Sequence, residues 1–361
     1  LTRIKAIPDE DDPLDILSEK ELKALRKIKF NTLTKSALAG AMGIVVLFTP
    51  YHLFGTDLFP IRKLALPFLD EPLDVEYEYY AYSLILVFLE IWYLTYVNIK
   101  AVAKIAQACG FPEDDDHNYE NNVSALISVG LERKQKNLQA IGINPYEGLS
   151  GWQVFLFQLF VRLKAALTNY LFKLLLRRLL GRYAIRALVD FAGIPVYAFW
   201  NAYASAVVMN EALVRVMAPP LIKKFTDQLY KEHSDNVEFK NLIYDSLQSV
   251  SVSKRSYHYN HFLLSITLLN RFDVQIVENP KFQTDIDVFL SMASDDTKLA
   301  FSKVVLFGIM IDGKLSQREI LILKRLRNDG IMPYDTPDIK RWTKDYFNGR
   351  GLDEFLYGKT A

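Results

Sequence analysis

Two stretches of this sequence run for about twenty residues almost without charge, and that is the strongest constraint on what the chain can fold into. Ser36 to Thr56, SALAGAMGIVVLFTPYHLFGT, holds no residue that carries charge near neutral pH except His52 when protonated, and Tyr79 to Ile99, YYAYSLILVFLEIWYLTYVNI, holds only Glu90. As helices rising ~1.5 Å per residue, each is long enough to cross a hydrocarbon core of ~30 Å. The chain is half hydrophobic yet 24% charged, so its apolar residues are gathered in blocks. Buried helices of a large soluble core are the competing reading of the same runs.

The flanking residues favour the membrane reading. Lys23, Arg26, Lys27, Lys29 and Lys35 precede the first run and Lys100 and Lys104 follow the second, while the segment between them is acidic on balance. By the positive-inside rule both termini are then cytoplasmic. Tyr and Trp near the ends of the second run suit the two interfaces. Ser36, Gly40 and Gly43 recur at helical spacing and form a small-residue face against which another helix can pack closely. Glu90 falls near mid-membrane, where a carboxylate is either functional or a protonated group bonded to a neighbouring helix.

Further along, Gly110 and Pro112 stop a helix before the acidic run Asp114, Asp115, Asp116 and His117, which reads as a solvated loop. From Trp152 to Asp190 the pattern is an apolar helix with a basic stripe, Lys173, Arg177, Arg178, Arg182 and Arg186. Such a stripe either lies on an anionic membrane surface or is simply solvated. The next segment, FAGIPVYAFWNAYASAVVMN, is uncharged to Asn210 and reads as a buried or re-entrant hairpin. MAPPLIKK, Met217 to Lys224, then breaks the apolar region.

These middle segments resemble the EcsC family, in which a Gly is followed eight residues later by an Asn on a helix of small and apolar residues. Gly193 and Asn201 stand at those positions, although Tyr197 replaces a Gly expected between them. The resemblance spans roughly residues 80 to 220. It implies a helical, membrane-associated bacterial protein of poorly defined biochemistry, and it carries over no catalytic residue. With the spans, the small-residue face and the basic helix, the expectation is a protein of the bacterial inner (cytoplasmic) membrane with other membrane subunits and lipid as partners.

The last third contains a faint repeat of helix, short turn, helix, aligned on Val252-Ser253 and Leu315-Ser316. In the second copy, "IDGKLSQREI", Asp312, Gly313 and Glu319 look like half of a calcium loop. The acids that such a loop needs at alternate positions are missing, since Lys314, Leu315 and Ser316 follow Asp312. Ser316 and Glu319 form S-x-x-E, a capping box opening the next helix. The first copy has Ser249 and Ser256 where the second has its acids. His258 and His261 read as ordinary helix residues.

This copy resembles the TerB-like family, over roughly residues 230 to 332. The resemblance implies ties to tellurite resistance and stress systems, and a divalent ion held by acidic residues, here Asp312 and Glu319.

The expected fold class is all-α: a helical membrane protein with about two transmembrane helices, an amphipathic helical region and a C-terminal helical bundle. The expected organisation is a cytoplasmic N-terminal helix over 1–35, a transmembrane hairpin over 36–99, an amphipathic region over 100–224 and a cytoplasmic helical domain over 225–361. A net charge of +1, with no basic patch interleaved with base-stacking aromatics, gives no reason to expect nucleic acid, and the single Cys109 excludes a disulfide framework. The polar opening, Leu1 to Lys29, lacks the form of a cleavable signal peptide. No phosphate loop or nucleophile elbow occurs, and single carboxylates such as Glu90 or Asp190 do not make a catalytic site. The expected function is that of a non-enzymatic, cofactor-free, membrane-anchored accessory or scaffold protein, the alternative being a metal- or stress-responsive regulator.

Overall fold

Both uncharged runs lie inside long helices. The computed structural model describes residues 16–64, 73–110, 141, 143–144, 150, 153, 191, 193–256, 258–277, 280, 282–283 and 286–358. The acidic run Asp114 to Asp116 and the basic stripe Lys173, Arg177, Arg178, Arg182 and Arg186 lie outside the described residues. Among the described residues the fold is all-α apart from one two-stranded ribbon.

The chain divides into two compact units. The first contains most of α1 (Glu19–Leu58), the strands β1 (Arg62–Leu64) and β2 (Leu73–Val75), most of α2 (Tyr77–Ala108), and the start of α3 (Ile194–His233) up to Met209. The helices α1, α2 and α3 are each long and apolar enough to cross a membrane. The ribbon between α1 and α2 is antiparallel, with Arg62 opposite Val75.

The α1–α2 hairpin is held by polar groups placed where the backbone needs them. Pro50 has no N–H, so within α1 the carbonyl of Val46 loses its helical donor. The Tyr82 hydroxyl donates to that carbonyl at 2.6 Å and takes the place of the missing bond. Near the turn, Tyr51, Phe59, Tyr79 and Tyr82 pack ring against ring, with Tyr51 and Tyr79 centroids 4.7 Å apart and Phe59 buried. Gly55, at φ +44°, leaves the helical conformation just before this turn.

The second unit takes the chain from Asn210 onward, together with the described residues up to Arg26 and a segment from Val102. Its helices after α3 are α4 (Val237–Asn241), α5 (Ile243–Lys254), α6 (Tyr259–Arg271), α7 (Ile286–Met292), α8 (Asp295–Met310), α9 (Gln317–Asn328), α10 (Thr336–Phe347) and α11 (Asp353–Tyr357). The start signals are local: Asn236, Ser294 and Ser316 each accept an N–H of the first turn through a side-chain oxygen. The most deeply buried helix is α8, whose Phe301, Val304, Val305, Leu306, Phe307 and Ile309 are at most 1% exposed. Gly308 permits close packing of α8 on α5, because a Cβ there would stand 2.5 Å from Val250 Cγ2. The rings of Phe225 and Phe307 stack at 3.9 Å.

The structure departs from the sequence expectation in three places. No helix ends at residue 35, because α1 runs unbroken from Glu19 into the apolar run. Nor does MAPPLIKK end α3, which continues through Pro219 and Pro220 to His233. The buried Ala212, Leu213, Val214, Leu221 and Phe225 tie this stretch to the C-terminal core, and that packing outweighs the two lost N–H donors. Finally, Ser253 does not open a helix: it lies inside α5, where its hydroxyl donates to the Ser249 carbonyl. The first hairpin turns at Arg255, at φ +49°, and α6 starts after His258.

Candidate functional site

In the first unit, the small-residue positions form one seam. Ser36 Oγ lies 2.7 Å from Ser205 Oγ, both fully or almost fully buried. One turn along α1, a Cβ on Gly40 would stand 2.5 Å from the Tyr197 carbonyl oxygen and 2.8 Å from Asn201 Nδ2. One turn further, Gly43 faces the Glu90 carboxyl, and Asn201 Nδ2 donates to Glu90 Oε1 at 2.6 Å. As numbers rise along α1 they fall along α3, so these two helices are antiparallel. The seam therefore collects Ser36, Gly40, Gly43, Glu90 and Asn201 on three helices. Gly193 stands apart, at the start of α3, where its carbonyl accepts the N–H groups of Val196 and Tyr197. Pro195 follows in the first turn, where its missing N–H costs nothing.

In apolar surroundings a Glu–Asn hydrogen bond is worth making because each group otherwise has no partner. Glu90 thus has a hydrogen-bonding neighbour on another helix. Tyr82 was not singled out in the sequence, and Tyr197 stood out there only as the replacement of an expected Gly. A helical-spacing search of the segment around Asn201 would have found Tyr197 and Ser205, each four residues from it.

In the second unit, the turn containing Asp312 and Glu319 closes around a lysine. Lys254 Nζ lies 2.7 Å from Asp312 Oδ1 and 3.0 Å from Glu319 Oε1, and donates to the Lys314 carbonyl at 2.8 Å. All three charged side chains are less than a tenth exposed. The capping box is formed: Ser316 Oγ accepts the Glu319 N–H, and Glu319 Oε2 accepts the Ser316 N–H at 2.6 Å. Asp312 Oδ1 also accepts the Lys314 N–H at 3.0 Å, and Gly313 takes φ +70° against Val214 and Phe347. Asp312 Oδ1 and both Glu319 carboxylate oxygens thus serve the lysine ammonium or backbone N–H groups. Burial is the largest single influence on Asp312 and opposes its ionisation, but Lys254, through its charge and hydrogen bond, together with the nearby His261 and His258 outweighs it and holds the carboxyl below its ordinary pKa.

Around this turn the other polar groups are also used structurally. The α8 C-terminal carbonyl of Ile311 accepts from Asn260 Nδ2 at 2.8 Å and from the Tyr346 hydroxyl at 3.1 Å. The same two side chains reach the Val214 carbonyl of α3. His258 Nδ1 accepts the Asn260 N–H, so Nε2 carries the proton and donates to Glu211 Oε1 at 2.7 Å. A histidine with both nitrogens engaged in this way holds a helix start in place and has no lone pair left to act as a base.

His261, 3% exposed, gives this module a pH dependence. Burial pushes its pKa down from 6.5 to about 3, against the opposing pull of Asp312. Below 6.5 the unfolded chain gains a proton that the folded chain excludes, so stability is complete above that value and falls on acidification. The loss approaches about 1.4 kcal/mol per pH unit, with a limit of roughly 5 kcal/mol near pH 3. Asp312 adds to it with the same sign, since its lowered pKa contributes stability that protonation removes. Unfolding free energies between pH 7 and 4 should show this slope, and His261→Leu should flatten it. An unchanged slope in the variant would assign the acid sensitivity elsewhere.

No family model matches the chain, and no curated protein or solved structure matches it either.

Proposed function

We propose that this protein is a non-enzymatic, membrane-anchored accessory or scaffold protein. Its α1–α2 hairpin and the start of α3 pack among lipid and membrane subunits, and its C-terminal helical module docks a cytoplasmic partner. The observation that carries this reading is the distribution of side chains in the first unit. Leu38, Met42, Leu53 and Phe54 on α1, and Leu84, Ile85, Phe88, Leu89, Ile91 and Trp92 on α2, are all more than half exposed. The polar groups pair off between the helices, Ser36 with Ser205 and Glu90 with Asn201. Apolar faces of this extent require lipid or protein cover.

The resemblance to EcsC-like proteins supports a bacterial inner membrane, and the flanking lysines and arginines support cytoplasmic termini. The network around Lys254 supports a structural use of the one cluster that resembled a metal site.

Washing native membranes at alkaline pH tests the anchor, and purification in mild detergent with mass spectrometry tests the accessory role. The protein is expected to stay in the membrane pellet and to travel with stoichiometric companions. Release into the wash would overturn the anchor, and a protein that runs alone would overturn the accessory role.

A further inference from the structure

The outward face of α9 has a composition that the proposed function leaves unused. On its inner side α9 buries Glu319, Ile320 and Leu323. On its outer side Leu321 is 66% exposed, with Arg318, Lys324 and Arg325 around it, all exposed. The sole acid within α9 is Glu319, which faces inward to Lys254. Arg325 reaches across to Asp287 of α7 at 2.6 Å, which places the two helices side by side. The residue after Asp287 is Val288, 57% exposed, and Met292 at the end of α7 is 77% exposed. Among the described residues the acids at the edge of this patch are Asp287 and Asp329, and Arg325 contacts both. Arg318 and Lys324 form no ion pair among the described residues.

We propose that this α7–α9 face docks on an anionic lipid surface, with Leu321, Val288 and Met292 entering the headgroup layer and Arg318, Lys324 and Arg325 meeting lipid phosphates. The inference rests on the membrane-anchored reading, which supplies a bilayer within reach of the module at high effective concentration. Charge complementarity selects the occupant: two cations with no ion-pair partner among the described residues surround an exposed aliphatic side chain, the pattern of interfacial helices. Long basic side chains can keep their charges in the headgroup region while their stems lie along apolar surface. The patch has none of the Trp or Tyr anchors that dominate protein interfaces.

The test uses the full chain with Cys109→Ser, carrying a single fluorophore on Leu321→Cys or, separately, on Phe88→Cys of α2. Each is reconstituted with nitroxide-labelled lipid into phosphatidylcholine bilayers, with or without about a third phosphatidylglycerol. The Leu321 probe should be quenched in the anionic bilayer and much less in the neutral one. High salt should reverse the effect, because it shortens the reach of the charges. Arg318→Gln with Lys324→Gln should weaken the docked state about fivefold per charge removed, roughly 25-fold in all.

No quenching at Leu321 in the anionic bilayer overturns the proposal. If the same probe is protected in native membranes only, the occupant is an acidic protein and the lipid assignment fails. The Phe88 probe reports separately on the anchor and should be quenched whatever the headgroup charge. Quenching at Leu321 without quenching at Phe88 would uphold this proposal and remove the anchored reading.

Discussion

Replacing Lys254 by Met is expected to destabilise the C-terminal module by about 3–5 kcal/mol, the effect of leaving buried charge without its partner. The ammonium lies 2.7 Å from Asp312 and 3.0 Å from Glu319, and water reaches almost none of the three side chains. Without it, two carboxylates face each other across a buried turn, and one of them must take up a proton or the turn must open. Hydrogen exchange of the α8 amides in the full chain measures this directly. Exchange should speed up by about two to three orders of magnitude if these amides open with the module.

The control is the triple variant Lys254→Met, Asp312→Asn, Glu319→Gln. Asn keeps an oxygen for the Lys314 N–H, and Gln is accepted in a capping box. Most of the lost protection should return, since removing all the buried charges together is far less costly than removing one. A Lys254→Met chain with unchanged exchange would mean that the carboxylates are not held by this charge.

The second large effect separates two glycines that look alike in sequence. Gly40→Leu should disrupt the α1–α3 seam, and even Gly40→Ala should cost about 1–3 kcal/mol. A Cβ at residue 40 meets the carbonyl oxygen and carbon of Tyr197 at 2.5 and 2.7 Å, and a backbone cannot step aside as a side chain can. At Gly43 the nearest atom is Glu90 Oε2 at 3.4 Å, the far end of a flexible side chain, so Gly43→Ala should be nearly neutral. Thermal unfolding midpoints of the two alanine variants in mild detergent provide the comparison. Equal losses would show that the helices do not approach most closely at Gly40.

Much of this architecture is local and therefore readable. Period, length and lack of charge mark the two apolar helices, because a helix needs only its own backbone to satisfy its hydrogen bonds. The capping box at Ser316 and Glu319 and the Asp312-Gly313 turn are readable for the same reason: each partner lies within a few residues of the other. The spacing of Ser36, Gly40 and Gly43 likewise announces a face on which helices can approach.

What lies across that face is not written in the spacing. That Gly40 meets Tyr197, and that Glu90 bonds Asn201 more than a hundred residues away, depends on how three helices are brought together. The first hairpin shows the same limit. Comparing its positions with those of the second reveals missing acids, but its actual contribution is a cation: Lys254 reaches the other hairpin's turn and pairs with both carboxylates. The prolines of MAPPLIKK read as a stop, yet burial against the C-terminal core carries α3 straight through them. The sequence by itself determined that the two apolar runs are helices, that Ser316 and Glu319 cap α9 and that Ser36, Gly40 and Gly43 share a face, since those follow from interactions within a few turns. Only the tertiary structure decided which charges pair, which glycine is in contact and where one unit gives way to the next, because such pairings depend on distances between residues far apart in the chain.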